Sequence, residues 1–570
     1  MAVNKERVEQ LVILFFPVIF LILFFLLPLF RILLLAFLNE RENGFLVTFQ
    51  HIVEVLSHPL NRYFLYWDFQ QAIITTGLCV ILGIPGSYIF TKYQFPGKNL
   101  LRNLITIPFI LPPIVVLIGF IEVFGHGSPI NQMWSALTGS ILIEIYNSYE
   151  GILLAHVFYN IPVIIRLTEI GWKNIDPDLI AVARSLRASK FQILWRVQIP
   201  HLLPITAAAA LLVFIYAFNS FAMVLVLGGV QYQTLEVRIY WLAKQTNFPA
   251  AAALTLVQIS LNLVMIMCYL YITKKYEIPI SPQYPRYEKP LLSRSLSVKK
   301  VISMITVSIY FALIGLLCLY PIFGVFLVSL FPNDQIFSLN SFIRLLDPNI
   351  RSYIGLLPLD MVMNTLFFGV AVMILATLLA LLFSTGIGYR TTYKTSSNRS
   401  LTTTVGEIVV ILPLAISSIT LAFSILTLYQ NSPLYRDFIS LAIIIAHTLI
   451  AFPFAYRILA AKQANIDPST IGVARSLGSS RFNTWLRIQV PLLLTGIVAA
   501  GLFSFAISLG EFGATTFLAR ANFATIPVGI YRLINTRNVA PAAAFSVILI
   551  LLSTISFIII EKLGRLDFRF

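Results

Sequence analysis

The stretch NIDPDLIAVARSLRASKFQILWRVQIP (Asn174–Pro200) is a polar, basic passage in a chain that is otherwise mostly apolar. It returns 291 residues later as NIDPSTIGVARSLGSSRFNTWLRIQVP (Asn465–Pro491). In each copy an Asp-Pro pair, Asp176-Pro177 or Asp467-Pro468, sets a helix start, with Asp as N-cap and Pro at the first helical position. The i, i+3 spacing then places Ile180, Ala183 and Leu186 together, and likewise Ile471, Ala474 and Leu477. A second short helix opens near Phe191 or Phe482 and ends at the closing proline. Each copy therefore predicts a short helical hairpin.

An amphipathic loop that merely joins two membrane spans would explain one such hairpin. Two copies keep more than polarity. They share Ala183-Arg184-Ser185-Leu186 with Ala474-Arg475-Ser476-Leu477, Phe191 with Phe482, Arg196 with Arg487 and Gln198 with Gln489, whereas the spans around them have drifted further. A linker needs only polarity, but a docking surface needs particular side chains, so the pattern predicts one kind of partner engaged twice.

The rest of the chain is solvated largely by lipid. Of its 570 residues 58% are hydrophobic and 11% charged, against roughly 25% charged in soluble domains, and the mean hydropathy is +0.86. A bilayer core of about 30 Å needs roughly 20 apolar helical residues. Twelve segments meet that length: 11–38, 70–91, 103–125, 149–168, 201–227, 250–273, 301–330, 361–389, 404–429, 438–459, 492–516 and 540–561. The first is too long for a signal-peptide core and reads as an uncleaved span. Stretch 126–148 is ambiguous between a loop and a re-entrant segment. Prolines in IPFILPPIV (Ile107–Val115) and ILPLAIS (Ile411–Ser417) predict kinks in the third and ninth spans. Cys79, Cys268 and Cys318 lie far apart in apolar runs, with no metal or disulfide spacing.

The net charge of +16 is topological and implies no nucleic acid. With the N-terminus in the cytoplasm, 29 of the 40 Lys and Arg fall on the cytoplasmic side, 10 on the outer side and Arg31 within the first span, the positive-inside pattern. Both termini and both hairpins are then cytoplasmic. The Pro-, Ser- and Lys-rich stretch 274–300 reads as a cytoplasmic linker between units 1–273 and 301–570, which carry the loops 169–200 and 460–491. Six spans per unit make this a parallel duplication.

The two hairpins resemble the EAA loops of permease subunits in binding-protein-dependent ATP-binding cassette (ABC) importers. The match runs over Ala181-Val182-Ala183 and Leu186-Arg187 in one copy, and over Gly472-Val473-Ala474 and Leu477-Gly478 in the other. The leading Glu of the motif is missing from both, and Arg187 stands where the family has Gly. Gly478 takes a left-handed conformation freely and Arg187 only at a cost, so the first hairpin is expected to bend differently or dock less tightly. The chain as a whole resembles fused two-unit permeases, such as those of thiamine and ferric-iron importers. FNSFAMVLVLGGVQYQTLEVRIYWLAKQTNFPAAAALTLVQI (Phe218–Ile259) and SLGEFGATTFLARANFATIPVGIYRL (Ser508–Leu533) lean toward thiamine.

That resemblance implies an all-α polytopic membrane protein of the bacterial plasma membrane, with about twelve helices in two parallel six-helix repeats of the MetI-like type I importer-permease fold. It implies that this chain is not an enzyme and binds no cofactor, with ATP and Mg held by a separate ATPase, most simply a homodimer docked on the hairpins. An extracytoplasmic binding protein would deliver the solute. No phosphate-binding loop of the Gly-x-x-x-x-Gly-Lys-[Ser/Thr] type occurs in the sequence, which agrees with that division of labour. Candidates for the path are Glu511, Asn219 and Ser220 near outer span ends, and His156 and His447 at matched intramembrane positions, where an ionisable group is a functional candidate. Each also has a plain reading: a headgroup-solvated Glu, or a neutral His bonded between helices. A secondary transporter or channel is the rival class, but it offers no reason for two near-identical hairpins.

Overall fold

The computed structural model describes residues 13–41, 44–125, 127–276, 289–291, 298–332, 336–391, 410 and 412–564. Most of the expected linker 274–300, the first part of the expected ninth span and both chain ends lie outside the described residues. Among the described residues ten helices are long and apolar enough to cross a membrane, and an eleventh span forms if Phe482–Leu492 and Leu494–Gly510, bent by 69°, are taken together. The expected ninth span is represented by the shorter apolar helix Ser418–Tyr429.

In the first half the principal helices are α1 (Ile13–Phe37), α2 (Pro59–Lys92), α3 (Lys98–Ile110), α4 (Pro113–Phe124), α5 (Tyr149–Lys173), α6 (Pro177–Ser185), α7 (Lys190–Phe218), α8 (Ala222–Leu227), α9 (Leu235–Lys244) and α10 (Phe248–Lys275). The second half contributes α11 (Val298–Leu330), α12 (Pro358–Thr391), α13 (Ser418–Tyr429), α14 (Ile439–Ala464), α15 (Pro468–Ser476), α16 (Phe482–Leu492), α17 (Leu494–Gly510), α18 (Gly513–Leu518), α19 (Ile526–Asn535) and α20 (Val539–Gly564). The only strands among the described residues are two short pairs, Leu38–Arg41 antiparallel to Gly44–Val47 and Tyr93–Gln94 parallel to Lys289–Pro290. Helix is the expected outcome, because it satisfies every backbone group within the segment in lipid. The ambiguous stretch 126–148 holds one short helix, Pro129–Thr138. Asn131 ties it down by donating to the carbonyls of Phe124, Gly125 and Ile143.

Each half is built on a packed trio, α2 with α5 and α7, and α12 with α14 and α17. The apolar stretches of α5 and α14 are both 72% buried inside the protein, against 28% for α1, so the matched fourth and tenth spans are the central ones and α1 faces lipid. The first helix of each half reaches across to the other: α1 packs on α13 as well as on α10 of its own half, and α11 on α4 as well as on α20 of its own half. Gly119 of α4 makes that crossing possible. A Cβ there would sit 1.7 Å from the Pro321 carbonyl oxygen of α11, a backbone approach that only glycine permits.

The predicted kinks are breaks. The third span stops at Ile110 and restarts at Pro113, and a 3₁₀ turn, Leu412–Ala415, precedes α13. Pro112 lacks the N–H an unbroken ladder requires, and the Tyr159 hydroxyl lies 3.4 Å from both Pro112 O and Pro113 O at the break.

Hairpin geometry and a buried polar cluster: the candidate functional sites

The two hairpins use the same local devices at the same offset. Asp176 caps α6 by accepting from the Asp178 amide at 2.8 Å, and Asp467 caps α15 by accepting from the Ser469 amide at 2.9 Å. The Ser469 amide and hydroxyl hold the Asp467 carboxyl below its usual range. Both first helices end in a Schellman motif: the Ala188 amide donates to Ala183 O at 3.0 Å, and the Ser479 amide to Ala474 O at 3.1 Å. Ser189 or Ser480 opens the second helix by accepting from the amide three residues on, at 3.2 Å in each copy. A π-helical turn follows in both, Leu194–Gln198 and Trp485–Gln489, a feature often found at functional sites.

The left-handed position decides the expectation about Arg187. Arg187 has φ 58° and Gly478 φ 84°, so the Arg adopts the bend that the Gly adopts, and the two hairpins turn the same way. The cost of the left-handed Cβ, roughly 1–2 kcal/mol, is borne because the two Schellman bonds fix the chain on either side.

The i, i+3 face expected to dock is split. Leu186 and Leu477 are 78% and 83% exposed, and Val182, Val473, Phe191 and Phe482 are exposed as well. Ile471 and Ala474, by contrast, are buried, with Ala474 only 9% exposed, and Ile180 and Ala183 are half-buried. The helix lies with the Ala face against its own protein and turns Val182/Leu186 or Val473/Leu477 outward. Arg184, Ser185 and Ser476 are exposed, while Arg475 is half-buried. Ser185 and Ser476 bond back to Ala181 O and Gly472 O.

On the opposite side of the molecule, polar side chains from six helices gather between the halves. Gln71 of α2 donates to Asp68 Oδ1 at 3.0 Å and to Ala217 O of α7 at 2.9 Å. The other Asp68 oxygen accepts from the Leu235 amide of α9 at 2.9 Å. His156 Nδ1 donates to Gln71 Oε1 at 2.9 Å. Gln258 of α10 donates to Asn219 Oδ1 at 3.0 Å and to Glu236 Oε1 at 3.3 Å, and accepts from Thr420 of α13 at 3.4 Å. Asn262 donates to Asn219 Oδ1 at 2.8 Å. The Ser417 hydroxyl, at the break before α13, bonds the Glu236 carboxyl. A buried polar group without partners costs about 1–3 kcal/mol, and this network supplies them across the interface between halves.

The five sequence-predicted path residues fall differently. Asn219 is within the cluster, and the Ser220 carbonyl beside it accepts from Thr234 at 2.8 Å. His156 joins it through Gln71, leaving its buried Nε2 without a partner. His447 is spoken for on both sides, by Ser508 and Thr515 at 2.8 Å each, and ties α14 to α17 and α18. Glu511 caps α18, accepting from the Ala514 amide at 2.8 Å and from the Ser418 hydroxyl, so it borders the cluster from the second half. Its counterpart by the 291-residue offset is Ser220, and next to that pair the equivalent Phe221 and Phe512 stack on each other with ring centroids 5.7 Å apart. Pro112, at the break in the third span, packs on Gly510. Broken helices that meet near a repeat axis are where transporters bind their solutes.

Asp68, Gln71, Glu236, Gln258 and Asn262 are not singled out by the sequence reading. Asp68 precedes the expected start of the second span at residue 70, whereas α2 begins at Pro59 and holds it inside the helix. Gln258 and Asn262, four residues apart in an apolar span, are a one-face polar pair that the sequence does display. Glu236 has no such signal, because α9 is a short helix between spans.

The model of the binding-protein-dependent transport system inner membrane component family matches this chain twice, over residues 80–278 and 393–566. The chain belongs to that family. Each match contains one hairpin and the trio helices on either side of it, α5 and α7 in the first half and α14 and α17 in the second. Among curated relatives, the thiamine transport system permease protein ThiP of Escherichia coli (strain K12) is 26% identical over 509 residues, 88% of each chain. ThiP of Salmonella typhimurium is 24% identical over 505 residues, again 88% of each. A probable ABC transporter permease protein, y4fN, of Sinorhizobium fredii is 24% identical over 502 residues, 85% of this chain and 84% of its own. As a member of this family the chain is a multi-pass permease of an ABC importer, and the fused two-unit form extends along nearly the whole length of these relatives.

Proposed function

We propose that this permease carries thiamine inward, with its termini and both hairpins in the cytoplasm, as units 1–273 and 301–570 joined by the linker 274–300. Two copies of one ATPase, holding ATP and Mg, dock on Leu186 and Leu477 and their neighbours, and a binding protein delivers the solute from outside. The observation that carries the docking role is the duplication itself: cap, left-handed turn and π-helix recur at one offset, with the same apolar side chains turned outward. Thiamine is supported by relatives named for its transport that align over 88% of this chain. It is supported also by chemistry, since thiamine bears a quaternary nitrogen. Asp68, Glu236 and Glu511 supply carboxylates beside Phe221, Tyr240, Phe512 and Tyr531, the combination of acid and aromatic faces that suits such a cation.

The mechanism is alternating access. The Phe221–Phe512 stack closes the outer end, and ATP-driven approach of the hairpins rocks the halves to part it. Moving such an equilibrium from 1:99 to 99:1 requires about 5.5 kcal/mol of differential binding, which ATP and the loaded binding protein supply only by favouring one conformer. The test is uptake of labelled thiamine in cells with and without the gene, its ATPase and binding protein present. Uptake that vanishes with the gene and on ATP depletion is expected. Unchanged uptake removes thiamine and makes ferric iron the next solute to assay.

A further inference from the structure

Arg457 is an exposed charge on one of the most enclosed helices of the protein. The apolar stretch of α14 is 72% buried, yet Arg457 is exposed. It lies ten residues past His447, roughly 15 Å along the helix toward the second hairpin. Its surroundings belong to the other half. Tyr216 of α7 is within electrostatic reach of both Arg457 and Tyr269 of α10. Tyr216 precedes Asn219 by three residues and Tyr269 follows Asn262 by seven, so each tyrosine shares a helix face with a member of the polar cluster. Because α7 runs away from its hairpin and α10 runs back, both tyrosines lie on the hairpin side of that cluster. Arg457, Tyr216 and Tyr269 therefore form the next polar layer between the halves. An ionisable side chain within a span faces such an interior and not lipid.

The repeat shows that the fold does not require this charge to stand open. Arg166, the counterpart of Arg457, is half-buried and donates to Thr106 Oγ1 at 3.1 Å. Glu169, one turn on, is close enough to act on its charge. Ala460 stands at the Glu169 position in the second half, and among the described residues no carboxylate forms an ion pair with Arg457. One arginine is built into its half, and the other faces the space between halves. Charge is thus ordered along that space, with the carboxylates of Asp68, Glu236 and Glu511 in the cluster and a cation on its hairpin side.

We infer that Arg457 is a specificity residue of the inner half of the path, where it repels a cationic solute that has left the carboxylates. The faces of Tyr216 and Tyr269 would otherwise hold a quaternary nitrogen, and the guanidinium denies the solute that second resting place. Release then runs on toward the hairpin side. The role rests on the reading of the solute as thiamine, whereas the position of Arg457 in the path does not.

The test reads the charge first without any solute. Cys268, the exposed cysteine, is removed by Cys268→Ser, and Tyr216→Cys supplies a thiol beside Arg457. The full chain in nanodiscs is then treated with a cationic and an anionic methanethiosulfonate reagent of similar size. Faster reaction with the anionic reagent is expected. Arg457→Gln should shift the ratio of rates about tenfold toward the cationic one, the scale of a unit charge roughly 10 Å away at an effective dielectric of about 20. Arg457→Lys should keep the ratio. No labelling, or a ratio that Arg457→Gln leaves unmoved, overturns the placement. Elution as a single species checks that each variant is folded.

The second arm keeps Tyr216 and measures binding of labelled thiamine to the nucleotide-free permease–ATPase complex. Arg457→Gln should bind about tenfold more tightly and turn over more slowly in uptake, and Arg457→Lys should match the unmodified chain. Unchanged binding by Arg457→Gln overturns the release role. A shifted reagent ratio with no thiamine binding or uptake by the unmodified complex would overturn thiamine as the solute and support the place of Arg457 in the path.

Discussion

Phe221 and Phe512 occupy the same place in the two repeats and touch each other, stacked at 5.7 Å and 29°. Two equivalent residues can meet only at the axis that relates their halves, so this pair marks the pseudo-two-fold axis. Tyr240 meets Phe221 edge-on at 5.3 Å, and Tyr531 meets Phe512 in the same way at 5.3 Å.

Truncating this pair should loosen the closed conformer. Phe512→Ala removes a stacking contact of about 0.5–1.5 kcal/mol beyond its area, and Phe221→Ala the same one. Each is expected to raise ATPase turnover of the complex in the absence of solute, with the double variant little worse than either single. Strictly additive effects would mean that the two rings do not act together.

Leu186→Asp and Leu477→Asp place a charge on the most exposed apolar side chains of the hairpins. Burying it against a partner costs several kcal/mol, so co-purification of the ATPase should fall at least about a hundredfold while the permease stays monodisperse. Ala474→Asp should behave differently, lowering the thermal stability of the permease itself, since Ala474 packs inward. Full ATPase retention by both Leu variants would end the docking role.

Arg187→Gly should relieve the left-handed Cβ and stabilise the first hairpin by up to about 1 kcal/mol, net of the added freedom of the unfolded chain. Hydrogen exchange over residues 182–191 reads this directly. Slower exchange is expected, and faster exchange would show that Arg187 contributes contacts that outweigh its strain.

Glu236→Gln keeps a side chain able to bond Gln258 and Ser417 but removes the acidic group. Thiamine uptake should fall about tenfold in kcat/KM, equivalent to about 1.4 kcal/mol, with little change in thermal stability. Glu511→Gln should have the smaller effect on uptake, because that carboxylate is committed to capping α18. Normal uptake by Glu236→Gln would take the cluster off the path.

His447→Ala should be the most damaging to stability of these changes. It takes a partner from the buried Ser508 and Thr515 hydroxyls, of which Thr515 keeps its bond to Glu511 O, and opens a cavity, together about 2–5 kcal/mol. Thermal unfolding in detergent measures it, and a loss below about 1 kcal/mol would show that the two hydroxyls find other partners.

The sequence by itself determined what acts over a few residues or over the thickness of a bilayer. Apolar runs of sufficient length become helices because lipid offers the backbone no partner. Asp-Pro at 176 and 467 starts helices by local capping, and the 291-residue repeat announces a hairpin built twice. Only the tertiary structure decided what depends on where whole helices pack. Arg187 accepts the left-handed bend because two flanking hydrogen bonds hold it, which no propensity at that position foretells. Ala474 turns inward because its own protein, and not the partner, covers that face of α15. Glu236 finds Ser417 and Gln258, and Asp68 the Leu235 amide 167 residues away, because a buried polar group must be satisfied by whatever the packed interface brings near. Periodicity shows that a side chain is polar and which way it faces on its helix. Its partner is set by the crossing of helices that are far apart in sequence.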